Sequence, residues 1–378
     1  MKGRRMIITH CAACAAPLPP VSAKQCSRCK TRYCEPACQA QHWKEGGHDK
    51  VCKKIKRGGG AEQSHAAQKY QEAVAETVKA CADDTKGQTC YICTEAVHWK
   101  TKEGLVRGCS CRGTSGFAHV SCLAEQAKVL VDEAEENNLD VEPKWKLWNT
   151  CGLYEQNYPG VLFGALAWAC WKTYVGRPET NLFRINSMHL LGTGLTDAKH
   201  FLDALSVQEA ELSLLWRIGT TEENVLSAQG NLAITYRMLE RHESALRMRR
   251  DVYAGHLKLT GDENLQTLGA AYNYAVSLRQ SNRYKEVKAL MRKTMPLARR
   301  VLGESHELTL RMRKSYAIAL HEDAGATLGD LREAVTTLED TDRIARRVLG
   351  TAHPNVEELD ISLRDARAAL IAREFGAA

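Results

Sequence analysis

The chain has 378 residues, 44% of them hydrophobic and 26% charged, with a formal net charge of +7. That length holds two or three domains with a substantial core, and the balance excludes wholesale disorder. No run of 18 apolar residues occurs, so no membrane-spanning helix is expected. Aromatic residues are sparse, at 6%, which leans toward helix and away from a large β-sandwich. The N-terminus MKGRRMIITHCAAC is basic, but its apolar stretch is too short for a signal-peptide core. The expected address is the cytoplasm or the nucleus, where structural disulfides are disfavoured.

The fifteen cysteines are unevenly placed, seven in residues 11–52, eight in 81–170 and none after Cys170. Along the first segment the donors fall in four pairs: Cys11-x2-Cys14, Cys26-x2-Cys29, Cys34-x3-Cys38 and His48-x3-Cys52. Tetrahedral zinc takes four sulfur or nitrogen donors, so eight donors fit two ions. A segment this short buries too little apolar area to fold alone, so metal must supply much of its stability. The last two pairs have i, i+4 spacing, which puts both donors on one helix face. Short helices are therefore predicted at 34–40 and 47–55, with the first two pairs on tight turns. Residues 1–60 carry thirteen Lys/Arg against three Asp/Glu, a formal +10. Seven thiolates balanced by two Zn²⁺ ions lower this to about +7, which attracts anions without by itself making a nucleic-acid binder.

The string CxxC, CxxC, YC-x3-CQ, Trp, H-x3-C resembles the MYND zinc finger, with Tyr33, Cys34, Cys38, Gln39, Trp43, His48 and Cys52 matching position by position. The resemblance implies interleaved sites, with Cys11, Cys14, Cys34 and Cys38 on one zinc and Cys26, Cys29, His48 and Cys52 on the other. Gly46 and Gly47 lengthen the usual Trp-to-His gap, which makes His42 a rival to His48. Tyr33 and Trp43 read either as a small core or as contacts for the short proline-containing peptides that such fingers bind.

After the basic stretch KKIKR (53–57), three glycines mark a boundary, and a connecting helix is predicted over 65–82 from Tyr70, Val74 and Val78. A second set of donors follows: Cys90-x2-Cys93, Cys109-x-Cys111, His119-x2-Cys122 and, much later, Cys151. Gly108, Gly113 and Gly116 suit the tight turns of ligand loops, and LAEQAKVLVDEAEENN after Cys122 reads as a helix. The CSCRG string with HxxC downstream resembles a degenerate RING-CH (variant RING) finger. That resemblance implies one zinc on Cys90, Cys93, His119 and Cys122, and a second on Cys109, Cys111 and Cys151. The eighth position is Tyr154, whose phenol is a poor ligand near neutral pH. Water or another side chain completes this site, or zinc binds it weakly, or it is vestigial, so the module holds one zinc or two. The family recruits a ubiquitin-conjugating enzyme (E2), and Ile92 and Trp148 stand where it places E2 contacts, though both also suit a core.

From residue 161 on the chain repeats. VLFGALAWACW (161–171) reads as a buried helix, and Gly176, Gly219, Gly261, Gly303 and Gly350 recur at gaps of 43, 42, 42 and 47. Each unit reads as two helices, the first with Leu268, Tyr272 and Ala275 at helical spacing, the second with Val287, Leu290 and Leu297. Ala233, Ala275 and Ala317 recur 42 apart, at a layer of close helix approach. Such pairs bury their apolar faces only by stacking. The turn at Arg346 to Asn355 resembles that of the 42-residue tetratricopeptide repeats of kinesin light chain-like proteins. Asn231, Arg249, Asn264, Asn273 and Arg279 are polar positions expected to face the inner groove.

The expected fold is mostly α, with two small zinc-stabilised cross-brace modules followed by a tetratricopeptide-type solenoid. The expected domains are a finger at 8–55, a linker and helix at 56–84, a RING-CH-like module at 85–160 and the repeats at 161–378. The function expected is a zinc-binding interaction scaffold whose finger and groove bind proteins or short peptides. The alternative is a RING-type E3 ubiquitin ligase that recruits E2 and selects substrate with its repeats. No methyl-donor signature accompanies the finger, as a SET-type methyltransferase requires, and no base-reading helix stands out. Neither nucleic acid nor membrane is the expected partner.

Overall fold

Helical periodicity from residue 61 onward becomes thirteen of the fifteen α-helices among the described residues. The computed structural model describes residues 11–16, 18, 23–109, 111, 116–153, 155–351 and 353–375. The basic segment 1–10, Gly113 and Tyr154 lie outside the described residues. The chain divides into two compact units, one ending at Thr220 and one beginning at Thr221.

The first unit opens with an antiparallel ribbon, β1 (Lys24–Gln25) on β2 (Arg32–Tyr33), in the register Lys24 opposite Tyr33. Two short helices follow, α1 (Pro36–Lys44) and α2 (His48–Arg57). Pro36 suits the first turn of α1, where its missing N–H costs nothing. Gly47 caps α2 at φ +69°, a left-handed conformation that glycine adopts without strain. The glycine pair that lengthens this loop thus makes the corner between α1 and α2. The second ribbon pairs β3 (Val106–Arg107) with β4 (Phe117–Ala118). Helix α4 (Val120–Glu136), the short α5 (Glu142–Trp145) and a 3₁₀ turn at Lys146–Trp148 follow.

Helix α3 (Ala61–Ala80) is more than a connection. Its Tyr70, Val74 and Thr77 are buried, and the Thr77 hydroxyl donates to the Val161 carbonyl at 3.0 Å. It packs on α6 (Gly160–Tyr174), which also meets α4 and α7 (Leu182–Asp197), and α7 packs on α8 (Phe201–Ile218). One apolar core runs from Ala66 on α3 through α4 and α6 to Leu214 on α8. The expected boundary at 160/161, between the zinc module and the repeats, does not divide this core. The structure places α6 to α8 in the same core as α3 and α4. The reason is that α6 is apolar on every side and needs neighbours all round.

The second unit holds α9 (Glu222–Met238), α10 (His242–Thr260), α11 (Leu265–Gln280), α12 (Tyr284–Leu302), α13 (Glu307–Glu322), α14 (Leu328–Leu349) and α15 (Pro354–Phe375). Each helix packs on the next, and α13 also meets α11 and α15, which is repeat stacking. The period has a local cause. Gly261, Gly303 and Gly350 end α10, α12 and α14 at φ +80°, +91° and +85°. Asn264, His306 and Thr327 cap the starts of α11, α13 and α14, Thr327 through a reciprocal box with Asp330. Ala233, Ala275 and Ala317 are all buried, as the 42-residue spacing requires. Ala275→Leu therefore overpacks a full layer and should lower stability by about 1–3 kcal/mol, read as a fall in denaturant midpoint at unchanged slope.

Candidate metal centres

The turns carrying the first donor of three of the sites share one backbone design. Lys30 N–H donates to the Cys26 carbonyl at 3.0 Å, and Cys26 N–H to the Thr31 carbonyl at 2.8 Å. The same two bonds recur from Ala15 to Cys11 and from Cys11 to Ala16, and from Thr94 to Cys90 and from Cys90 to Glu95. In each turn the residue four past the first cysteine is left-handed: Ala15, Lys30 and Thr94 have φ of +56°, +67° and +65°. A side chain there costs free energy unless the surroundings fix it, which a metal between the two thiols does. The segment after Cys151 folds the same way. Glu155 N–H donates to the Cys151 carbonyl, Cys151 N–H to the Gln156 carbonyl, and Glu155 has φ +53°. Spacing concealed this fourth turn, because only one cysteine marks it.

These turns, the ribbons and the helices assemble four donor groups, each with all donor atoms within 4.8 Å of one another. Cys11 and Cys14 meet Cys34, at the end of β2, and Cys38, on α1. Cys26 and Cys29 meet His48 and Cys52, one helical turn apart on α2. Cys90 and Cys93 meet His119 and Cys122 at the start of α4, and Cys109 and Cys111 meet Cys151. First pairs meet third pairs and second pairs meet fourth, the cross-brace arrangement. Within the groups, Cys14 and Cys34 Sγ are 3.6 Å apart, Cys34 and Cys38 3.4 Å, Cys26 and Cys52 3.7 Å, and Cys111 and Cys151 3.4 Å. Those separations are far too long for disulfides, and all fifteen cysteines are free. A tetrahedron of thiolates at about 2.3 Å from zinc has edges of about 3.8 Å, so the donor sets fit that ion.

The two histidines present different nitrogens. His48 Nε2 lies 3.4 Å from Cys29 Sγ, whereas His119 Nδ1 lies 3.3 Å from Cys93 Sγ and 3.7 Å from Cys122 Sγ. Packing holds the His48 ring, with Tyr33, His42 and Trp43 around it at centroid distances of 6.1, 5.1 and 5.7 Å. His42, the rival ligand, instead has its Nδ1 3.1 Å from the Tyr33 hydroxyl. Tyr33 is fully buried as the centre of the finger, whereas Trp43 is 39% exposed and belongs to its surface.

Electrostatics shows what the bare groups lack. Burial raises the Cys26 thiol, but the backbone N–H of Cys29 and the His48 ring outweigh it and bring Cys26 to about 6. Burial also raises Cys52, and its neighbours Cys26 and Cys29 add to this, pushing it up to about 11. At Cys11 burial acts upward too, but backbone N–H groups of Cys14 and Cys34 overcome it and bring the thiol to about 6. Cys111 goes to about 12 through burial and then Cys109 and Cys151. The Cys26 thiolate thus helps to raise Cys52, and a dication removes that conflict.

The glycines expected to make ligand-loop turns act by close approach. A Cβ on Gly116 would lie 2.8 Å from the Cys111 carbonyl oxygen, and one on Gly108 would lie 2.0 Å from Leu162 Cδ2. Of the two residues read as E2 contacts, Ile92 is 38% exposed, whereas Trp148 is fully buried and edge-on to Tyr174. Trp148 is thus a core residue, filling the space between α4 and α6. In the repeats, Asn264 is a helix cap that accepts from Gln266 N–H, and Arg279 is 3.6 Å from Glu322. Asn231 is half-buried, Asn273 is exposed and Arg249 is buried.

Comparison with known families agrees with the geometry. Residues 11–52 match the MYND finger, residues 90–136 the RING-variant domain, and residues 225–265 and 267–307 the tetratricopeptide repeat. Cys151 and the α13–α14 pair lie beyond these matches, yet the structure gives them the same roles in a donor group and in the stack. No curated protein matches the chain. Among solved structures, a kinesin light chain-type protein of Podosopora anserina with nearly identical TPR-like repeats is 18% identical to this chain. It covers 61% of this chain and 97% of its own, with a TM-score of 0.42, and a point variant of it gives the same values. BtubC (BKLC) from P. vanneervenii is 11% identical, over 68% of this chain and 89% of its own, also with a TM-score of 0.42.

Proposed function

We propose that the protein is a zinc-stabilised interaction scaffold, with its finger and stacked repeats binding peptide segments of partner proteins. One observation carries this reading: three donor groups are complete with four protein donors each, in a chain that also builds a stack of helical hairpins. A site closed by four protein ligands leaves no position for water or substrate, which is the mark of structural zinc. Cys11, Cys14, Cys34 and Cys38 hold one ion, and Cys26, Cys29, His48 and Cys52 the second. Cys90, Cys93, His119 and Cys122 hold the third, and Cys109, Cys111 and Cys151 offer three ligands to a fourth. A bound ion neutralises the thiolates and crosslinks the loops that carry them. Elemental analysis of the purified chain is expected to return three or four zinc ions, the larger figure matching the four donor groups among the described residues. A count of two demotes the second module, and none overturns the reading.

A second reading, ubiquitin ligase, is favoured by the RING-variant match and by the exposure of Ile92 between two ligands. The domain would supply no nucleophile and act by holding the E2 thioester in a reactive pose. If it is a ligase, chain formation with purified E1 and a panel of E2 enzymes falls at least about tenfold in Ile92→Ala, the loss of about 1.4 kcal/mol. No chain formation with any E2 leaves the scaffold as the function.

A further inference from the structure

A fifth turn in the first unit has the backbone design of the donor turns but carries no cysteine. His98 N–H donates to the Glu103 carbonyl at 3.0 Å, Lys102 N–H donates to the His98 carbonyl at 2.9 Å, and Lys102 is left-handed at φ +61°. His98 and Thr101 stand where the paired donor turns carry their two cysteines. Here hydrogen bonds close the turn: Thr101 N–H donates to His98 Nδ1 at 3.1 Å, and the Thr101 hydroxyl lies 2.8 Å from the same nitrogen. His98 is buried, with its ring 5.2 Å from that of His119. The tip of this locked turn carries Trp99, which is 67% exposed. A large ring held out on a fixed turn loses little freedom when a partner covers it, so it is a preorganised contact.

Trp99 lines a cavity of about 510 Å³ formed by this turn, α3, α4 and α6, all within the first unit. That volume lies in the range of about 300–1,000 Å³ typical of small-ligand sites. Lys172, on α6, lines the same cavity, half-buried, with its ammonium 4.5 Å from the centre of the Tyr70 ring. Among the described residues that ammonium has neither a hydrogen-bond nor an ion-pair partner. Burial draws it below the usual lysine range, against a longer-range pull from Glu103. Glu103 does not line the cavity, and one of its oxygens is taken by the Ser121 N–H and hydroxyl at 2.7 and 2.6 Å. A sheltered cation without an acceptor costs free energy that an entering anion would relieve. Of the other charges on the wall, Lys128 is 3.1 Å from Asp132, while Lys100 and Glu125 are exposed and of opposite sign. The cavity thus offers one sheltered, unengaged positive charge together with one free aromatic ring.

We infer that this cavity docks a peptide segment of a partner protein that carries a carboxylate next to an aromatic side chain, the carboxylate on Lys172 and the ring against Trp99. The inference rests on the reading of the chain as a partner-binding scaffold and names the chemistry of one partner segment. A nucleic acid needs a track of cations, which Glu125 and the Lys128–Asp132 pair interrupt here.

The test uses the full zinc-loaded chain and a fluorescein-labelled Gly/Ser peptide with one adjacent glutamate and phenylalanine, read by anisotropy. Binding is expected, and changing the peptide's glutamate to glutamine or its phenylalanine to alanine should each weaken it at least about tenfold. Lys172→Met, which keeps an unbranched stem over Tyr70 and removes the charge, should weaken binding at least about tenfold and bind the glutamate and glutamine peptides alike. Trp99→Ala should weaken binding at least about fivefold and bind the phenylalanine and alanine peptides alike. Zinc content and denaturation midpoint close to those of the parent show that the variants are folded. If Lys172→Met fails that check, Trp99→Ala and the two peptide changes decide. Equal binding of the glutamine peptide by the parent, discrimination retained in the variants, or preference for a single-stranded oligonucleotide overturns the inference. Displacement of the peptide by an equal concentration of N-acetylphenylalanine makes the ligand a small aromatic acid and overturns it as well. A parent chain with a full zinc complement that ignores the peptide sinks this inference alone, whereas loss of zinc binding sinks the scaffold reading with it.

Discussion

Stripping zinc with a strong chelator unfolds residues 23–57, while the helices from Thr221 onward keep their hydrogen-exchange protection. The expectation follows from what the finger has for a core. Its buried apolar cluster is Cys11, Leu18, Cys26, Cys29, Tyr33, Cys38 and Cys52. Five of those seven are proposed ligands, so removing the metal leaves Leu18 and Tyr33 to hold the fold. Structural zinc supplies about 10–16 kcal/mol per site in small fingers at neutral pH. A whole domain is stable by only about 5–15 kcal/mol, so the metal-free finger has no reserve. Hydrogen exchange followed by mass spectrometry decides the matter. Unchanged protection of α1 and α2 after zinc is removed would show that the cysteines pack as ordinary core.

The second large effect is expected at Trp171, on α6. Trp171→Ala should cost about 3–5 kcal/mol, close to the whole stability of a domain. The ring is 1% exposed, and the Arg184 guanidinium sits over it at 5.6 Å. Arg184 is itself buried, donating to the Val175 and Arg177 carbonyls at 2.7 and 2.8 Å and pairing with Glu62 at 3.3 Å. Truncating the ring therefore leaves a cavity and loosens a buried cation that ties α7 to α3. Trp99→Ala is the control, because Trp99 is 67% exposed and should cost less than about 1 kcal/mol. Chemical denaturation of both variants gives the comparison. Equal midpoints would mean that α6 is not the centre of the first unit.

Pairwise spacing made the donor pairs legible, because a metal knuckle and an i, i+4 pair are set by a few consecutive residues, whereas the grouping of pairs into sites came from the family resemblance. The 42-residue period made the hairpins legible for the same reason, since each turn carries its own glycine and cap. What spacing could not show was the turn after Cys151, where hydrogen bonds rather than a second cysteine define the shape. It also missed that Gly108 and Gly116 serve close approach rather than turns.

By itself, then, the sequence determined the donor pairs, the helical class and the register of the repeats, because local chemistry and periodicity encode them. Only the tertiary structure decided that α3 is a core helix, that Trp148 is buried and Ile92 exposed, and that α6 to α8 share the zinc module's core. An apolar face records that a residue will be buried, but its partner is set by contacts between segments as far apart as Thr77 and Val161.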